Sequence, residues 1–388
     1  MIRDILEKVN IPELFDTTQA FPRPVAQGME KQLLEKLEST ADIQKGQTIA
    51  ITAGSRGIAG YRDIIEATSS FVQNKGARAV LVPAMGSHGG GSFDGHMSVL
   101  SKLGITSEIA DIVRQGASVK LGENETCNPV YIGKAYLEAD GVIILNRVAP
   151  HTSFRGEYES GIVKMAAVGM GGAEGARATH AAGYMKMAEN IVFAAETIFS
   201  KVNVVCAVAS VENAYGEVAS IDVLKRDEIM SVEPELLKKA RSLMPKLPID
   251  KLDVLVVEQI GKDISGTGMD TNIVGRYHSK AAFGGPDISK IVVLDLSERT
   301  GGNANGIGLC DFTTKRLFEK IDFESTYLNV LTSTQPSSAK IPPIMDTDEL
   351  AIKSALLTCN VMNERDITMM RISSTKEICD IKVTRNLL

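Results

Sequence analysis

The sequence contains no tryptophan, and aromatic residues make up only 5% of the chain. A surface that stacks nucleic-acid bases needs aromatic rings, so this class of protein is disfavoured. The net charge of −6 likewise argues against nucleic acid or an anionic membrane as the main partner. No uncharged run approaches the length of a membrane span, and the acidic start without an apolar segment predicts no secretory signal. We therefore expect a cytoplasmic protein.

Paired cysteines are also missing. The five cysteines are Cys127, Cys206, Cys310, Cys359 and Cys379. They are odd in number, widely spaced and form no CxxC pair, which favours reduced thiols over a disulfide framework or a zinc ribbon. The GxGxxG and GK[ST] signatures of nucleotide-binding loops are absent as well. Glycine-rich turns can still bind a phosphate at a helix start, but a purely structural turn is equally expected.

The chain is long enough for two domains, with 388 residues of which 44% are apolar and 23% charged. Such a chain buries a large core without disulfides or a structural metal. Two prolines in residues 244–250 indicate a linker or hinge. We therefore predict an N-terminal α/β domain over residues 1–245 and a C-terminal α/β domain over residues 250–388, both with mainly parallel sheets.

Three apolar, strand-like runs each end in polar or basic residues. These runs span residues 47–60, 77–91 and 140–148. The first two lead into the glycine-rich turns TAGSRG and AMGSHGG, which carry Arg56 and His88, and the third delivers His151. Strands that alternate with helices form parallel sheets, in which ligands bind outside the carboxyl ends of the strands. The three side chains are therefore expected on one rim.

Other elements follow from periodicity and turn residues. Helices are predicted at 29–38, 61–75, 184–200, 233–243, 311–321 and 346–357, the last with Asp346 as its N-cap. Strands are predicted at 202–211, 252–261, 291–297 and 324–333, followed by two closing strands within ITMMRIS and EICDIKVT.

The stretch 146–180 concentrates candidate functional residues, with Lys164 between His151 and His180 and glycines throughout. The alternative is a glycine-rich surface loop that leads into a helix. Lys164 has apolar neighbours, so it is either a helix residue that reaches water or an amine whose pKa is lowered by burial. His180 alone does not define a metal site.

Each basic side chain on the predicted rim has both a functional and a structural interpretation. Arg56 suits a bidentate hold on a carboxylate, although a surface ion pair is the more frequent role of an arginine. His88 and His151 suit acid–base work because imidazole titrates near neutral pH. Each is, taken singly, as compatible with a hydrogen-bonded structural histidine.

Taken together, GSRGI, PAMGSHGG and HTSFRGEYESGIVKM resemble the motifs of the nickel-dependent lactate racemase family, which includes other 2-hydroxyacid racemases and epimerases. The resemblance extends over most of the chain and is strongest between TAGSRGI and His180. It points to the branch that carries GSRGI and PAMGSHGG loops.

The resemblance implies a nickel-pincer nucleotide, made by separate biosynthetic proteins and held in a cleft between the two domains. Lys164 matches the lysine that attaches covalently to this cofactor, and His180 matches the protein's nickel ligand. Gly54 and Ser55 are implied to contact the cofactor. A protein produced without the biosynthetic proteins is expected to lack it.

The resemblance also implies the chemistry. His88 and His151 match the two acid–base histidines, and Arg56 matches the arginine that binds the substrate carboxylate. One histidine removes the hydroxyl proton while the C2 hydride passes to the cofactor, and return to the opposite face inverts the centre.

Two departures from the family pattern put lactate itself in doubt. Ala53 stands where the lactate enzyme has an aspartate, and Met269 stands where it has a substrate-binding lysine, with Lys262 nearby as a replacement. We expect a larger or more polar 2-hydroxy acid as substrate.

Two other classes of function remain open at this stage. The first is a zinc-dependent hydrolase or lyase that uses His88, His151 and His180. The second is a non-catalytic binding protein on the same fold.

Overall fold

The structure is a computed structural model that describes residues 2–55, 57–86, 88–125 and 128–388. Contacts divide the chain into two compact units. The six-stranded unit comprises Pro22–His151 and Arg155–Met244, and the seven-stranded unit comprises Met1–Phe21, Thr152–Phe154 and Pro245–Leu388. The chain thus passes between the units beside Met244, at the proline-containing segment.

The helices and strands alternate along most of the chain. The helices are α1 (Ile2–Leu6), α2 (Met29–Thr40), α3 (Tyr61–Asn74), α4 (Phe93–Lys102), α5 (Lys134–Glu138), α6 (Ile162–Lys164), α7 (Gly172–Ala181), α8 (Met187–Lys201), α9 (Ile229–Leu243), α10 (Thr271–Val274), α11 (Lys315–Glu319), α12 (Phe323–Ser333) and α13 (Asp348–Thr358). The strands are β1 (Leu14–Thr18), β2 (Thr48–Ala53), β3 (Arg78–Pro83), β4 (Asp111–Ile112), β5 (Ser118–Glu123), β6 (Pro129–Gly133), β7 (Gly141–Arg147), β8 (Val204–Glu212), β9 (Val218–Leu224), β10 (Lys251–Ile260), β11 (Asp287–Leu296), β12 (Phe312–Thr314), β13 (Ile344–Met345), β14 (Met369–Ile372) and β15 (Asp380–Thr384).

The larger sheet of the six-stranded unit has the order β4-β3-β2-β7-β8-β9. Strands β4, β3, β2, β7 and β8 are parallel to their neighbours, and β9 is antiparallel to β8. Strand β2 lies between β3 and β7, so the carboxyl ends of all three meet at one edge. The three strand ends therefore share one edge, as predicted, although Arg56 itself lies outside the described residues.

The sheet of the seven-stranded unit has the order β1-β15-β14-β10-β11-β12-β13. Its strands from β14 to β13 are parallel, and β15 and β1 complete it in the antiparallel sense. Alternate residues of β10 enter different apolar cores, with Leu255 and Val257 on one face and Val254 and Val256 on the other. A parallel sheet buried on both faces is the arrangement expected of an α/β fold, and that predicted fold class is confirmed.

The prediction of a strand at 324–333 is wrong, because this segment forms α12. The side chain of Asp322 accepts a hydrogen bond from the Ser325 N–H and so caps the helix. Its aromatic and branched residues favoured a strand, but they recur every four residues: Phe323, Tyr327 and Leu331 are all exposed.

Two other boundaries need correction. The predicted helix 311–321 begins as strand β12, and Thr314 then caps the shorter α11 by accepting from the Leu317 N–H. Thr347 rather than Asp346 caps α13, while Asp346 pairs with Arg3. In the second case the Thr347 hydroxyl, one residue after the expected cap, accepts the Leu350 N–H.

No helix in the described part of the chain is long and apolar enough to cross a membrane.

Candidate active site

Two predicted site residues meet at the ends of β2 and β3. The Ser55 Oγ and the His88 Nδ1 lie 2.5 Å apart, within hydrogen-bonding distance. The preceding Gly54 donates its N–H to the hydroxyl oxygen of Tyr61, whose pKa is raised by burial. Arg56, the predicted carboxylate ligand, lies outside the described residues.

The turn that carries His88 packs against α7, the helix that carries His180. Gly86 adopts a φ of +57°, and a Cβ added there would lie 3.1 Å from the Ala176 Cβ. A Cβ on Gly91, at the other end of the turn, would lie 3.4 Å from the Ala173 Cβ. Glycine permits both the left-handed backbone and this close approach, so the two histidine-bearing segments contact each other directly.

His180 is held in one tautomer at the end of α7. Its Nδ1 lies 2.7 Å from the carbonyl oxygen of Ala176 and donates to it, which leaves the lone pair on Nε2. Burial, and secondarily the positive charge of Lys164, lowers the pKa of His180 to about 4, while the bond to Ala176 opposes this shift. His180 is therefore neutral at physiological pH, the form in which imidazole binds metals.

Lys164 is the last residue of the short helix α6, which begins 15 residues after the end of β7. The Asn146 side chain, at the end of β7, donates to the carbonyl oxygen of Gly161 at 2.8 Å and fixes the start of this helix. A one-turn π-helix, Met165–Gly169, follows Lys164. Such π-turns are rare and recur at functional sites.

The first turn of α6 rests on a buried acid, Glu233 of α9. Its carboxyl group accepts a hydrogen bond from the Val163 N–H at 3.0 Å, and the Ile162 N–H adds a second. Burial raises the pKa of Glu233 to about 7, and these two hydrogen bonds oppose the shift. Glu233 thus supports the helix that presents Lys164.

Tyr184 lies between the two histidines of the stretch 146–180. Its ring centroid is 6.1 Å from that of His151 and 5.8 Å from that of His180, with the latter pair nearly perpendicular. Aromatic pairs favour such tilted and edge-on arrangements. His151 and His180 are therefore joined through one buried ring.

His151 follows β7 and is fixed through its backbone. Its N–H donates to the Glu159 carboxylate at 2.6 Å, and its carbonyl oxygen accepts from the Arg155 side chain, also at 2.6 Å. Strands β3 and β7 flank β2, so His88 and His151 follow strand ends on either side of that strand.

The other predicted substrate residue, Lys262, belongs to the seven-stranded unit. It follows β10, and its ammonium group donates to the carbonyl oxygen of Gly266 at 2.7 Å. Met269 is fully buried in an apolar core of that unit, and Ala53 is fully buried at the end of β2.

The contributions of Tyr184 and Glu233 were missed in the sequence. Tyr184 follows a glycine with a φ of +72°, and only the fold brings it to His151, 33 positions earlier. Glu233 precedes a proline, which suggested a helix start, but α9 begins at Ile229. Within residues 2–55, 57–86, 88–125 and 128–388, no three His, Cys, Asp or Glu side chains are grouped as a metal site.

A glycine at the start of α6 offers a direct check of this geometry. A Cβ at Gly161 would lie 2.1 Å from Oε1 of Glu233, so Gly161→Ala should destabilise the protein by about 2 kcal/mol or more. Urea unfolding measures this effect. Gly122→Ala is the control, because its Cβ would meet only the Thr197 Cγ2, at 3.8 Å. Equal stability of the two variants would contradict the described packing.

A scan of the sequence against models of protein families and a search of curated proteins each found no match. Among solved structures, the chain is similar to the lactate racemase apoprotein from Thermoanaerobacterium thermosaccharolyticum. The match has a TM-score of 0.52 and 13% sequence identity, and it covers 94% of this chain and 89% of the other. At this identity the comparison shows that the two proteins share a fold, a two-unit α/β architecture.

Proposed function

We propose that this protein is an enzyme that inverts the C2 centre of a 2-hydroxy acid with a nickel-pincer nucleotide. The observation that carries the proposal is the state of His180, which is neutral, presents Nε2 and lies within electrostatic reach of Lys164. A lysine amine and a neutral imidazole near each other can hold one metal cofactor, the amine through a covalent bond and the imidazole as a metal ligand. The fold shared with a lactate racemase supports the same class of reaction.

The residues present fit this cofactor. Lys164 offers the amine for a covalent bond at the end of a helix that Glu233 and Asn146 hold in place. His180 offers one neutral nitrogen ligand, and Gly54 and Ser55 lie on the same rim beside His88. The chemistry that a bound cofactor would supply there is a reversible acceptor for the hydride of C2.

The proton transfers fall to His88 and His151. Inversion follows when hydrogen returns to C2 on the face opposite to the one it left, and two histidines let one take the hydroxyl proton and the other give it back. His88 follows β3 and His151 follows β7, and these two strands lie on either side of β2. Ser55 is placed to hold the His88 ring through Nδ1, and Arg56 is proposed to bind the substrate carboxylate.

The proposed substrate is larger or more polar than lactate. Ala53 offers no carboxylate at the rim, and Met269 is buried in an apolar core, so neither supplies a polar contact. Lys262 is proposed to bind the substrate instead. The proposed partners are therefore a small hydroxy acid and the proteins that make the cofactor, all in the cytoplasm.

Co-expression with the cofactor-making proteins tests the proposal. We expect the intact mass to rise by one covalent cofactor, and single enantiomers of a hydroxy acid to lose optical purity in a chiral assay. The panel should contain lactate, aldonic acids and hydroxy dicarboxylic acids. A substrate deuterated at C2 should keep its label in ordinary water, because the hydride does not exchange with solvent.

Each competing reading predicts a different outcome. Turnover confined to lactate would contradict the substrate class. Rapid loss of the C2 label to solvent would show simple deprotonation. Activity that a chelator removes from protein without a covalent mass increment would instead favour the zinc hydrolase or lyase. Protein expressed alone is the matched control.

A further inference from the structure

Next to the candidate site, the carboxylate of Glu159 is completely buried, with 0% exposure. Its Oε2 accepts the His151 N–H at 2.6 Å. Its Oε1 accepts the Gly156 N–H at 3.3 Å and a guanidinium N–H of Arg241 at 2.5 Å. One side chain thus collects two backbone donors and an arginine from α9, which lies 82 positions along the chain.

Arg155 contacts both His151 and Glu159. Its guanidinium donates to the carbonyl oxygen of His151 at 2.6 Å and lies 3.7 Å from the carboxylate of Glu159. Both polar groups of the His151 main chain are therefore bound by side chains. The base of the loop is closed separately by paired backbone hydrogen bonds between Ala149 and Ser160, at 2.8 and 3.1 Å.

Closing a loop with a buried carboxylate costs free energy, because the charge must be removed from water. Removing an ion from water costs several kcal/mol, and good geometry with every lone pair used is needed to offset this cost. The bridge between Ala149 and Ser160 already closes this loop without a charge. Glu159 adds to this closed loop a direct hydrogen bond to the main chain of His151, whose ring contacts Tyr184.

We propose that Glu159 is a positioning residue for His151 and that Arg241 anchors Glu159 to α9. The carboxylate fixes the main chain from which the His151 imidazole projects, and the ring then keeps its tilted contact with Tyr184. This inference rests on the proposed function only for the catalytic role of His151. A misplacement of about 1 Å in a reacting group costs on the order of 100-fold in rate. Loss of the contact to Glu159 should therefore slow a reaction that uses His151.

The cofactor-free protein provides the first test, by NMR of ¹³C-labelled histidine rings. The five histidine signals are assigned from single histidine replacements. In Glu159→Ala the His151 signal should shift, because its ring leaves its position beside Tyr184. The His180 signal should stay, since Ala176 holds that ring independently. Glu157→Ala is the matched control, because Glu157 is an exposed acid of the same loop.

Two milder variants keep the test decisive if Glu159→Ala does not fold. Glu159→Gln keeps an oxygen for the His151 N–H but loses the ionic bond to Arg241. Arg241→Met removes the anchor, which is itself 42% exposed, and leaves Arg155 beside the carboxylate of Glu159. Both should shift the His151 signal by less than the alanine variant. An unmoved His151 signal in all folded variants would overturn the proposal, whatever reaction the protein catalyses.

Kinetics of the cofactor-loaded protein provide the second test. We expect kcat to fall about 100-fold in Glu159→Ala and about tenfold in Glu159→Gln, with KM changed by less than about twofold. A rise in KM at unchanged kcat would overturn the positioning role. If loaded wild-type protein shows no turnover on any hydroxy acid while the NMR shifts occur, the proposed function fails and the positioning of His151 stands.

Discussion

Replacing Lys164 with alanine should abolish both covalent cofactor attachment and racemisation. The amine of Lys164 is the proposed point of attachment, and no other lysine lies within the stretch 146–180. We expect the mass increment seen in co-expressed wild-type protein to disappear, and turnover to fall by at least about 1,000-fold, as for loss of a group that takes part in covalent catalysis. Intact-protein mass spectrometry and the chiral assay measure the two effects.

Lys186→Ala is the matched control for this experiment. Lys186 is an exposed lysine of the same unit and pairs with Glu189 on the surface. This variant should retain both the mass increment and the activity. A mass increment that persists in Lys164→Ala would show attachment elsewhere or tight non-covalent capture, and either result would refute the role proposed for Lys164.

Replacing Glu233 with glutamine should remove a large pH dependence of stability. The pKa of Glu233 rises from 4.5 in the unfolded chain to about 7 in the folded protein, chiefly through burial. Between these values the folded protein keeps a proton that the unfolded chain releases. The free energy of unfolding of wild-type protein should therefore fall as the pH rises from 4.5 through 7, by about 3 kcal/mol in total.

Glutamine cannot ionise, yet its carbonyl oxygen can still accept the N–H of Val163 at the start of α6. Glu233→Gln should therefore match wild-type protein near pH 5 and exceed its stability at pH 8, as measured by urea unfolding at several pH values. The control is Glu235→Gln, which alters an exposed acid of the same helix paired with Lys238. Parallel pH profiles for wild type and Glu233→Gln would show that burial does not perturb this carboxyl group.

The rim of the six-stranded unit was accessible from sequence because its signals are local. Apolar runs followed by glycine-rich turns mark β2 and β3, and the parallel arrangement then places Ser55, His88 and His151 on one edge. The strands β10, β11 and β14 were visible through their own apolar runs, whereas β15 alternates exposed and buried residues. Short-range patterning suffices wherever burial on both faces of a strand requires a continuous apolar run.

Other features depended on contacts between distant parts of the chain. Nothing near Glu233 in sequence indicates that it supports α6, 70 positions away. The neutral state of His180 follows from burial and from Lys164, which only packing brings close. The segment that forms α12 carried strand-forming residues, yet it is a helix with a cap at Asp322. Local propensity is a weak guide where a cap or a tertiary contact opposes it.

The pairing of β1 with β15 sets an order for folding during synthesis. Leu14–Thr18 pairs with Asp380–Thr384, so this strand leaves the ribosome about 360 residues ahead of its partner. Residues 22–151 and 155–244, with their own sheet and core, are complete long before then. At translation rates of about 5–20 residues per second, β1 waits on the order of tens of seconds as an unpaired strand. On ribosomes arrested before β15 is synthesised, chaperone binding to the β1 segment should reveal this delay.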